Sequence, residues 1–598
     1  MKNQLPLFPR AGADSEVESE IPKRRARIRI TNAPMAPPLT NPTKNNGHLL
    51  SKETGSYYTS DKVAKFLVSW AIRSSQDTVL DPSFGGGVFL RAASERLKTL
   101  KGNPDRQVFG IELDTEVHVR TSSELKRDLR IPIENLLAKD FFDVEPLPVR
   151  QVNAVIGNPP FIRYQRFTDE VRKQALARAA DEGVKLTKLS SSWAPFVVHS
   201  ISMIKEGGRL AMVLPGELGY AKYALPVLDY LTRSFGKIIL LTFKKKLFPG
   251  LSEDTLLLLA QDKGKNTSRV LHRDLEGDGS LKDVKVSKNY SLGGVRGVPT
   301  SPILTKRQRL IEYLLPKKTR ELYNEVKEAE HVYRLGDLAD VGIGYVTGAN
   351  DFFHLSPDQI KYFKIPKRFL KNAVKRSRAF RGLEFTQSDW DSALVRGESG
   401  YLLSINPQAE LSTELSEYLR MGEEKGVSNA YKCRVRKPWY SVPHVFEPDG
   451  FLSYMSTGFP NLVTNGAGAV APNTLHVLRL REPARISSSD IATSWPTSLT
   501  RLSVEIEGHS LGGGMLKLEP TEAENCLVAF TGDRRGDLQE LALEMDRLLR
   551  LGNDRKATER ADKMLLRKSL NLSVSDCRLL MDGAELLRNR RAKRSERG

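Results

Sequence analysis

Between Gly55 and about Leu259, short apolar runs alternate with segments of helical period. Thr78–Leu80, Val108–Ile111, Val152–Ile156, Leu210–Leu214, Ile238–Thr242 and Thr255–Ala260 predict strands, and Asp61–Arg73, Val88–Thr99 and Ala194–Lys205 predict helices among them. Such alternation builds βαβ units, hence an α/β, doubly wound, mostly parallel sheet. Runs such as IILLTF and TLLLLA are apolar on both faces, as strands covered by helices on each side must be. Residues 1–50 carry acidic and basic clusters and a Pro/Asn-rich stretch without a period, and predict a disordered basic arm. Residues 260–330 are polar, with one helix near Lys306–Glu328. From Val332 to about Glu540, glycines, prolines and aromatics interrupt short strand-like pieces, predicting a separate α+β domain. Helices follow from Gly536, ending in the basic run LLRNRRAKRSERG. The expected division is an arm over 1–50, an α/β domain over 51–285, a helical connector over 286–331, an α+β domain over 332–540 and a helical basic tail over 541–598.

Composition adds a partner class. Lys plus Arg number 92 against 72 Asp plus Glu, a net charge of +20, and this excess favours a polyanion, most often nucleic acid. The three cysteines, Cys433, Cys526 and Cys577, are too scattered for a disulfide scaffold or a Cys-based zinc site, and they fit a reducing cytoplasm. No metal site is expected. No apolar run reaches the roughly 18 residues of a membrane span, and MKNQLPLFPR has no apolar signal core.

Four segments carry chemistry. In VLDPSFGGGVFL (Val79–Leu90) a strand ends in Asp81-Pro82, then Ser83 and a glycine turn at Gly85–Gly87 open a helix. The turn is neither GxGxxG nor GxxxxGK[ST], and an acid stands before the glycines, where a phosphate would be repelled. A carboxylate there suits a cationic ligand end such as the ammonium and sulfonium of S-adenosylmethionine. In VFGIELD, Glu112 followed by Leu113 ends the next strand, where an acid accepts hydrogen bonds from ribose hydroxyls. In AKDFFD, Asp140 ends a further strand as an acceptor for an adenine amino group, with Phe141 beside it to cover the ring. In NAVIGNPPFIRY a strand runs into Asn158-Pro159-Pro160-Phe161. Two prolines stiffen this corner and donate nothing, so the Asn158 side-chain oxygen and the Pro159 carbonyl form a pair of acceptors. Such a pair grips both hydrogens of an exocyclic NH2, favours a pyramidal nitrogen and frees its lone pair for attack on a methyl group. Phe161 stacks on the base.

The order GSYYTSDKVAKFLVSWA, VLDPSFGGGVFL, FGIELD, AKDFFD, NPPF, GGRLAMVLPGELGY and LFPGLSEDTLLLL resembles the gamma-class, site-specific DNA adenine-N6 methyltransferases of the TaqI/Eco57I type. The resemblance implies a Rossmann-like methyltransferase domain over 51–285 using S-adenosyl-L-methionine, and a target-recognition domain over 332–540. It places Tyr58 and Thr59 in the donor pocket, with Asp81, Pro82, Ser83, Gly85, Glu112, Leu113, Asp140, Phe141 and Asn158. Asn158, Pro159 and Phe161 would be catalytic, and Phe248 would stack on a flipped adenine opposite Phe161. Two positions depart from the pattern: Phe84 stands where a small residue is usual, and Asn153 where an Asp is common. The C-terminal half is similar to the recognition region of these enzymes through LGDLADVGIGYVTGANDFF, RKPWYSVP, NGAGAVAPNTLHVLRL and EGHSLGGGMLKLEPTEAE. Arg434, Arg436 and Lys437 are the expected DNA-contacting cations. The partner implied is double-stranded DNA; any cognate restriction endonuclease would be a separate chain, solitary action fits equally, and the enzyme is expected to be monomeric and cytoplasmic. An asparagine–diproline–phenylalanine loop equally serves methylation of an RNA guanine or a protein glutamine, and the long region after Val332 argues against the glutamine enzymes.

Overall fold

The predicted strands assemble edge to edge in a computed structural model that describes residues 59–593 except 147–150, 163–168, 220, 249–253, 288–289, 484–485, 512–513 and 532–534. The N-terminal arm and Tyr58 therefore lie outside the described residues. The strands are β1 (Val79–Asp81), β2 (Val108–Glu112), β3 (Leu136–Ala138), β4 (Val152–Gly157), β5 (Ile204–Pro215), β6 (Phe235–Phe243), β7 (Thr255–Lys263), β8 (Arg269–Leu275) and β9 (Arg296–Pro299). Among the described residues they form one sheet in the order β3-β2-β1-β4-β5-β7-β6-β8-β9. Strands β1 to β5 pair in parallel, so their carboxyl ends share one edge. β7 runs antiparallel between β5 and β6, and β6 pairs in parallel with β8. The sheet is thus mostly parallel, as its apolar runs require.

The helices that matter to the site are α1 (Asp61–Ala71), α2 (Val88–Thr99), α3 (Thr115–Leu129), α4 (Asp169–Asp181), α5 (Trp193–Ser202) and α6 (Leu225–Ser234). α2 has the bounds its periodicity predicts, because Gly87 at φ +75° ends the preceding turn and Leu100 caps the other end. α5 is buried at every position, which explains a helix that reads apolar all round.

Residues 260–330 differ from the polar connector expected of them. β8 and β9 extend the sheet, and β9 falls beyond residue 285. β8, second from the edge, is buried at only three of its seven positions, so it shows no continuous apolar run to read. Helix α7 (Lys317–Val326) follows and leads to the second half. There a five-stranded sheet orders Ala339–Ile343, Leu475–Leu480, Gly450–Ser453, Leu462–Asn465 and Glu384–Phe385, and a three-stranded sheet centres on Ser399–Leu403. Helix α8 (Ser498–Glu507) packs on the last described helix, α9 (Val574–Lys593).

The basic C-terminus is also not a solvated tail where it is described. Arg590 grips the Asp274 carboxylate with both terminal nitrogens and donates to the Phe243 carbonyl oxygen at 3.0 Å, both on the large sheet. Arg591 pairs with buried Glu505 of α8 at 2.7 Å and donates to the carbonyl oxygens of Thr457 and Gly514. Among the described residues no helix is long and apolar enough to cross a membrane.

Candidate active site

The carboxyl edge of β1, β2, β3 and β4 surrounds a cavity of about 380 Å3. Its walls bring together residues that sequence alone places far apart: Thr59, Pro82, Ser83, Gly85, Glu112, Leu113, Asp140, Phe141 and Asn158. The glycine turn is built for close approach. Gly85 adopts φ +49° with open space where a Cβ would stand, and Gly87 at φ +75° would press a Cβ onto Thr121 and Leu125 of α3.

Glu112 anchors that turn from the next strand. Its Oε2 accepts the Gly85 N–H at 2.9 Å and its Oε1 the Asp114 N–H at 3.0 Å. A carboxylate has about four acceptor positions, so two remain for hydroxyl donors. Asp140 accepts the Phe142 N–H at 2.9 Å, and burial holds its carboxyl above the usual range. The Phe141 ring leans on Phe196 and His199, at 4.7 and 4.5 Å between centroids. His199 braces this corner by donating from Nε2 to the Val144 and Phe141 carbonyl oxygens. Burial lowers its pKa to about 4, so it stays neutral there.

Asp81 differs from expectation. It is wholly buried beneath the loop and does not line the cavity. Its Oδ1 accepts the Ser83 N–H at 3.1 Å, while Oδ2 has no hydrogen-bond partner among the described residues. Burial, and to a lesser degree the charge of Glu112, raises its pKa to about 8. The folded protein therefore holds a proton that the unfolded chain gives up near pH 4. The stability this provides is complete below about pH 4 and fades as pH climbs to about 8. Asp81→Asn keeps an acceptor for Ser83 and has no charge to lose. Its melting temperature relative to wild type is expected to rise between pH 5 and pH 8; a constant difference across that range would contradict a protonated Asp81.

At the asparagine–diproline corner, the Asn158 amide donates from Nδ2 to Thr59 Oγ1 at 3.3 Å, which turns Oδ1 to the other side of the amide plane. Ser83 Oγ donates to the Asn158 carbonyl oxygen at 3.2 Å, tying the corner to the glycine loop. Pro159 is buried and absent from the cavity wall, whereas Pro160 lines it. Phe161 and Phe248 are both buried and neither lines this cavity.

Ser192 also belongs to the site, although no motif of the sequence marks it. It precedes α5 at the N-cap position, where a serine hydroxyl ordinarily serves the helix. Here it makes no cap bond. It donates instead to the Pro160 carbonyl oxygen at 2.6 Å and accepts the Ile162 N–H at 2.9 Å, closing the corner from behind. The next residue, Trp193, donates from Nε1 to Glu217 at 3.0 Å and to the Tyr223 hydroxyl at 2.9 Å.

Both departures from the family pattern have physical accounts. Phe84 fits because residue 110 of β2 is glycine, whose Cβ would lie 2.7 Å from the Phe84 ring. Asn153 Oδ1 accepts from the Thr78 N–H and hydroxyl at 3.0 and 2.9 Å, at the amino end of the strands and away from the cavity.

Of the three expected DNA-contacting cations, Arg434 and Lys437 are exposed. Arg434 and Lys432 both lie over the ring of Tyr431, which is 65% exposed. Arg436 is committed inward, donating to the Thr347 and Val346 carbonyl oxygens at 2.8 and 2.5 Å, so its fork is occupied by a turn.

Two family models match the chain: "N-6 DNA Methylase" over residues 44–290 and "Type II methyltransferase M.Eco57I, C-terminal domain" over residues 307–566. The type II methyltransferase M.AccI of Acinetobacter calcoaceticus is 22% identical over 502 residues, 80% of this chain and 86% of that protein. M.XamI of Xanthomonas campestris pv. amaranthicola is 22% identical over 515 residues, 85% of this chain and 90% of that one. Among solved structures, the type IIL restriction-modification enzyme MmeI in complex with DNA has a TM-score of 0.52 at 11% identity, covering 89% of this chain and 75% of that one, a likeness of fold.

Proposed function

From the premise that this chain is an adenine-N6 DNA methyltransferase of the type II class, with an N-6 DNA methylase half and an M.Eco57I-type C-terminal half, we propose how its residues divide the work. The observation that carries the proposal is the cavity in which Glu112, Asp140, the glycine turn and Asn158 meet at one sheet edge.

The residues fit S-adenosylmethionine. A cavity of about 380 Å3 lies in the range of small-molecule sites, and it offers open acceptors at Glu112 and Asp140 beside apolar Phe84, Phe141 and Phe196. Glu112 would take the ribose hydroxyls, Asp140 and Phe141 the adenine, and the Pro82–Gly85 loop with Thr59 the amino-acid end. Bound there, the donor supplies an electrophilic methyl group. Asn158 Oδ1 and the Pro159 carbonyl oxygen would hold the target amino group by its two hydrogens, which concentrates its lone pair for in-line attack. Phe161 and Phe248 would clasp the flipped base, and Arg434 and Lys437 would contact the duplex. Extrusion of the adenine costs a few kcal/mol, which contacts to the rest of the duplex must offset. Any cognate restriction endonuclease would be a separate chain, solitary action fits equally, and the methyltransferase itself would be a cytoplasmic monomer. Guanine-in-RNA and protein-glutamine substrates are not favoured, since the C-terminal half matches a DNA methyltransferase.

Sequencing DNA from a methylase-free host that expresses this chain tests the reading. N6-methyladenine at one recurrent sequence is the expected result, and unmodified adenine throughout would overturn it.

A further inference from the structure

The asparagine–diproline corner needs support from outside itself. β4 ends at Gly157, so Asn158 to Phe161 lie beyond the strand ladder, and Pro159 and Pro160 have no N–H with which to anchor the loop. The buried segment Ser191–Trp193 supplies that support. Besides its two side-chain bonds to the corner, Ser192 donates its own N–H to the Ile162 carbonyl oxygen at 3.0 Å. Residues 160–162 are thus held at three points by one serine, and what holds that serine comes from the next strand of the sheet.

The turns after β5, Gly216–Gly219 and Lys222–Ala224, carry Glu217 and Tyr223, both half-buried. Trp193 donates from Nε1 to Glu217 Oε2 and to the Tyr223 hydroxyl, and that hydroxyl donates to the same Oε2. Ser191 lies against the same hydroxyl. Burial and the charge of Glu217 push the Tyr223 phenol up, so it remains a donor. The turn is grounded in turn: the Gly216 N–H donates to the Asp254 carbonyl oxygen at 2.6 Å, just before β7, and β5 is buried from Gly208 to Pro215.

A carboxylate is more than a buried indole requires. The three other buried tryptophans, Trp70, Trp390 and Trp495, each donate to a backbone carbonyl oxygen. Trp193 instead meets a carboxylate braced by a phenol. Hydrogen bonds to an ionised acceptor are about twice as strong as neutral ones, and this stiffness falls directly behind the acceptors that must keep their direction while the target nitrogen changes shape.

We propose that Glu217 is a positioning residue for methyl transfer, whose carboxylate acts through Tyr223 and Trp193 to fix Ser192 and, with it, the asparagine–diproline corner. The inference rests on the DNA-methyltransferase reading and adds to it a group outside the donor cavity.

The test compares methylation kinetics on duplex DNA, donor affinity by calorimetry and melting temperature for wild type, Glu217→Gln, Glu217→Leu, Ser192→Ala and Glu217→Leu/Ser192→Ala. Glu217→Leu is expected to lower kcat about tenfold, with DNA KM and donor affinity within a few-fold of wild type. Glu217→Gln keeps an oxygen for both donors and loses only the charge, so it should recover most of that loss. The double variant decides the matter. Residues that act along one line share one effect, so it should cost about tenfold in kcat, whereas two independent losses would multiply to about a hundredfold. A hundredfold loss, a loss carried by DNA KM or donor affinity, or wild-type turnover in Glu217→Leu would overturn the clamp and leave the methyltransferase reading standing. Should Glu217→Leu melt too low to assay, Tyr223→Phe, alone and with Ser192→Ala, takes its place and is judged by the same outcomes. Duplex DNA left unmethylated by wild type would instead remove the methyltransferase reading itself.

Discussion

Asn158→Ala is expected to lower the methyl-transfer rate on duplex DNA by about 10²- to 10³-fold, the cost typical of deleting one preorganised polar group at a reacting centre. The effect should fall on kcat. The side-chain oxygen is needed when the target nitrogen becomes pyramidal, whereas the donor cavity keeps Glu112, Asp140, Phe141 and the glycine turn. Donor affinity measured by calorimetry should stay within a few-fold of wild type. Ser192→Ala provides a graded companion. It leaves every cavity carboxylate in place but frees the Pro160 carbonyl oxygen and the Ile162 N–H from their shared partner. As a positioning residue, Ser192 should cost about tenfold in kcat, equivalent to about 1.4 kcal/mol, with the DNA KM unchanged. Wild-type turnover in Asn158→Ala would refute the acceptor-pair mechanism. A Ser192→Ala variant that loses stability or DNA KM rather than kcat would show that its hydroxyl serves only the fold.

Much of the catalytic half was legible because its elements are local. The apolar runs of β4, β6 and β7 are buried on both faces, and the strand–glycine–helix join at Asp81–Val88 is written in consecutive residues. The places that resisted reading depend on partners distant in the chain. Asp81 reads as an exposed carboxylate at a strand end, yet the close approach of Gly157 and Pro82 seals it beneath the loop. Ser192 belongs to no motif of the sequence, and only the fold brings Pro160 to it. Arg436 reads as one of three cations in a basic patch, and the Val346–Thr347 turn claims it. β8 and the edge strand β9 bury too few residues to announce themselves. In each case charge or apolar content is visible in sequence, whereas the partner that decides its use is not.

The C-terminal arginines are the extreme instance, and they carry the largest expected effect on stability. Arg591 is 4% exposed and Glu505 7%, so the pair is cut off from water, and the guanidinium also satisfies the Thr457 and Gly514 carbonyl oxygens. Arg591→Met leaves a carboxylate and two carbonyls buried without their donor, a loss expected to cost about 3–5 kcal/mol. The deficit should depend on pH in a defined direction. Burial already raises the Glu505 pKa, and Arg591 is the main group opposing that rise. Without it the folded state takes up a proton more readily than the unfolded chain, so the stability lost to the substitution is partly regained as pH falls and is lost again as pH rises through the elevated folded pKa. Thermal melts at pH 5.5 and pH 8 should therefore show a larger deficit at pH 8, and Arg591→Met/Glu505→Gln should narrow it. Equal deficits at both pH values would mean that the pair is not electrostatically isolated. The neighbouring Arg590 holds Asp274 and the Phe243 carbonyl oxygen of the large sheet, so the end of α9 bolts the catalytic half to the C-terminal half. Loosening the anchorage of α9 is expected to let the halves shift while the donor cavity, made wholly from the first, stays intact. Arg591→Met should consequently lose DNA affinity at temperatures where it still binds the methyl donor.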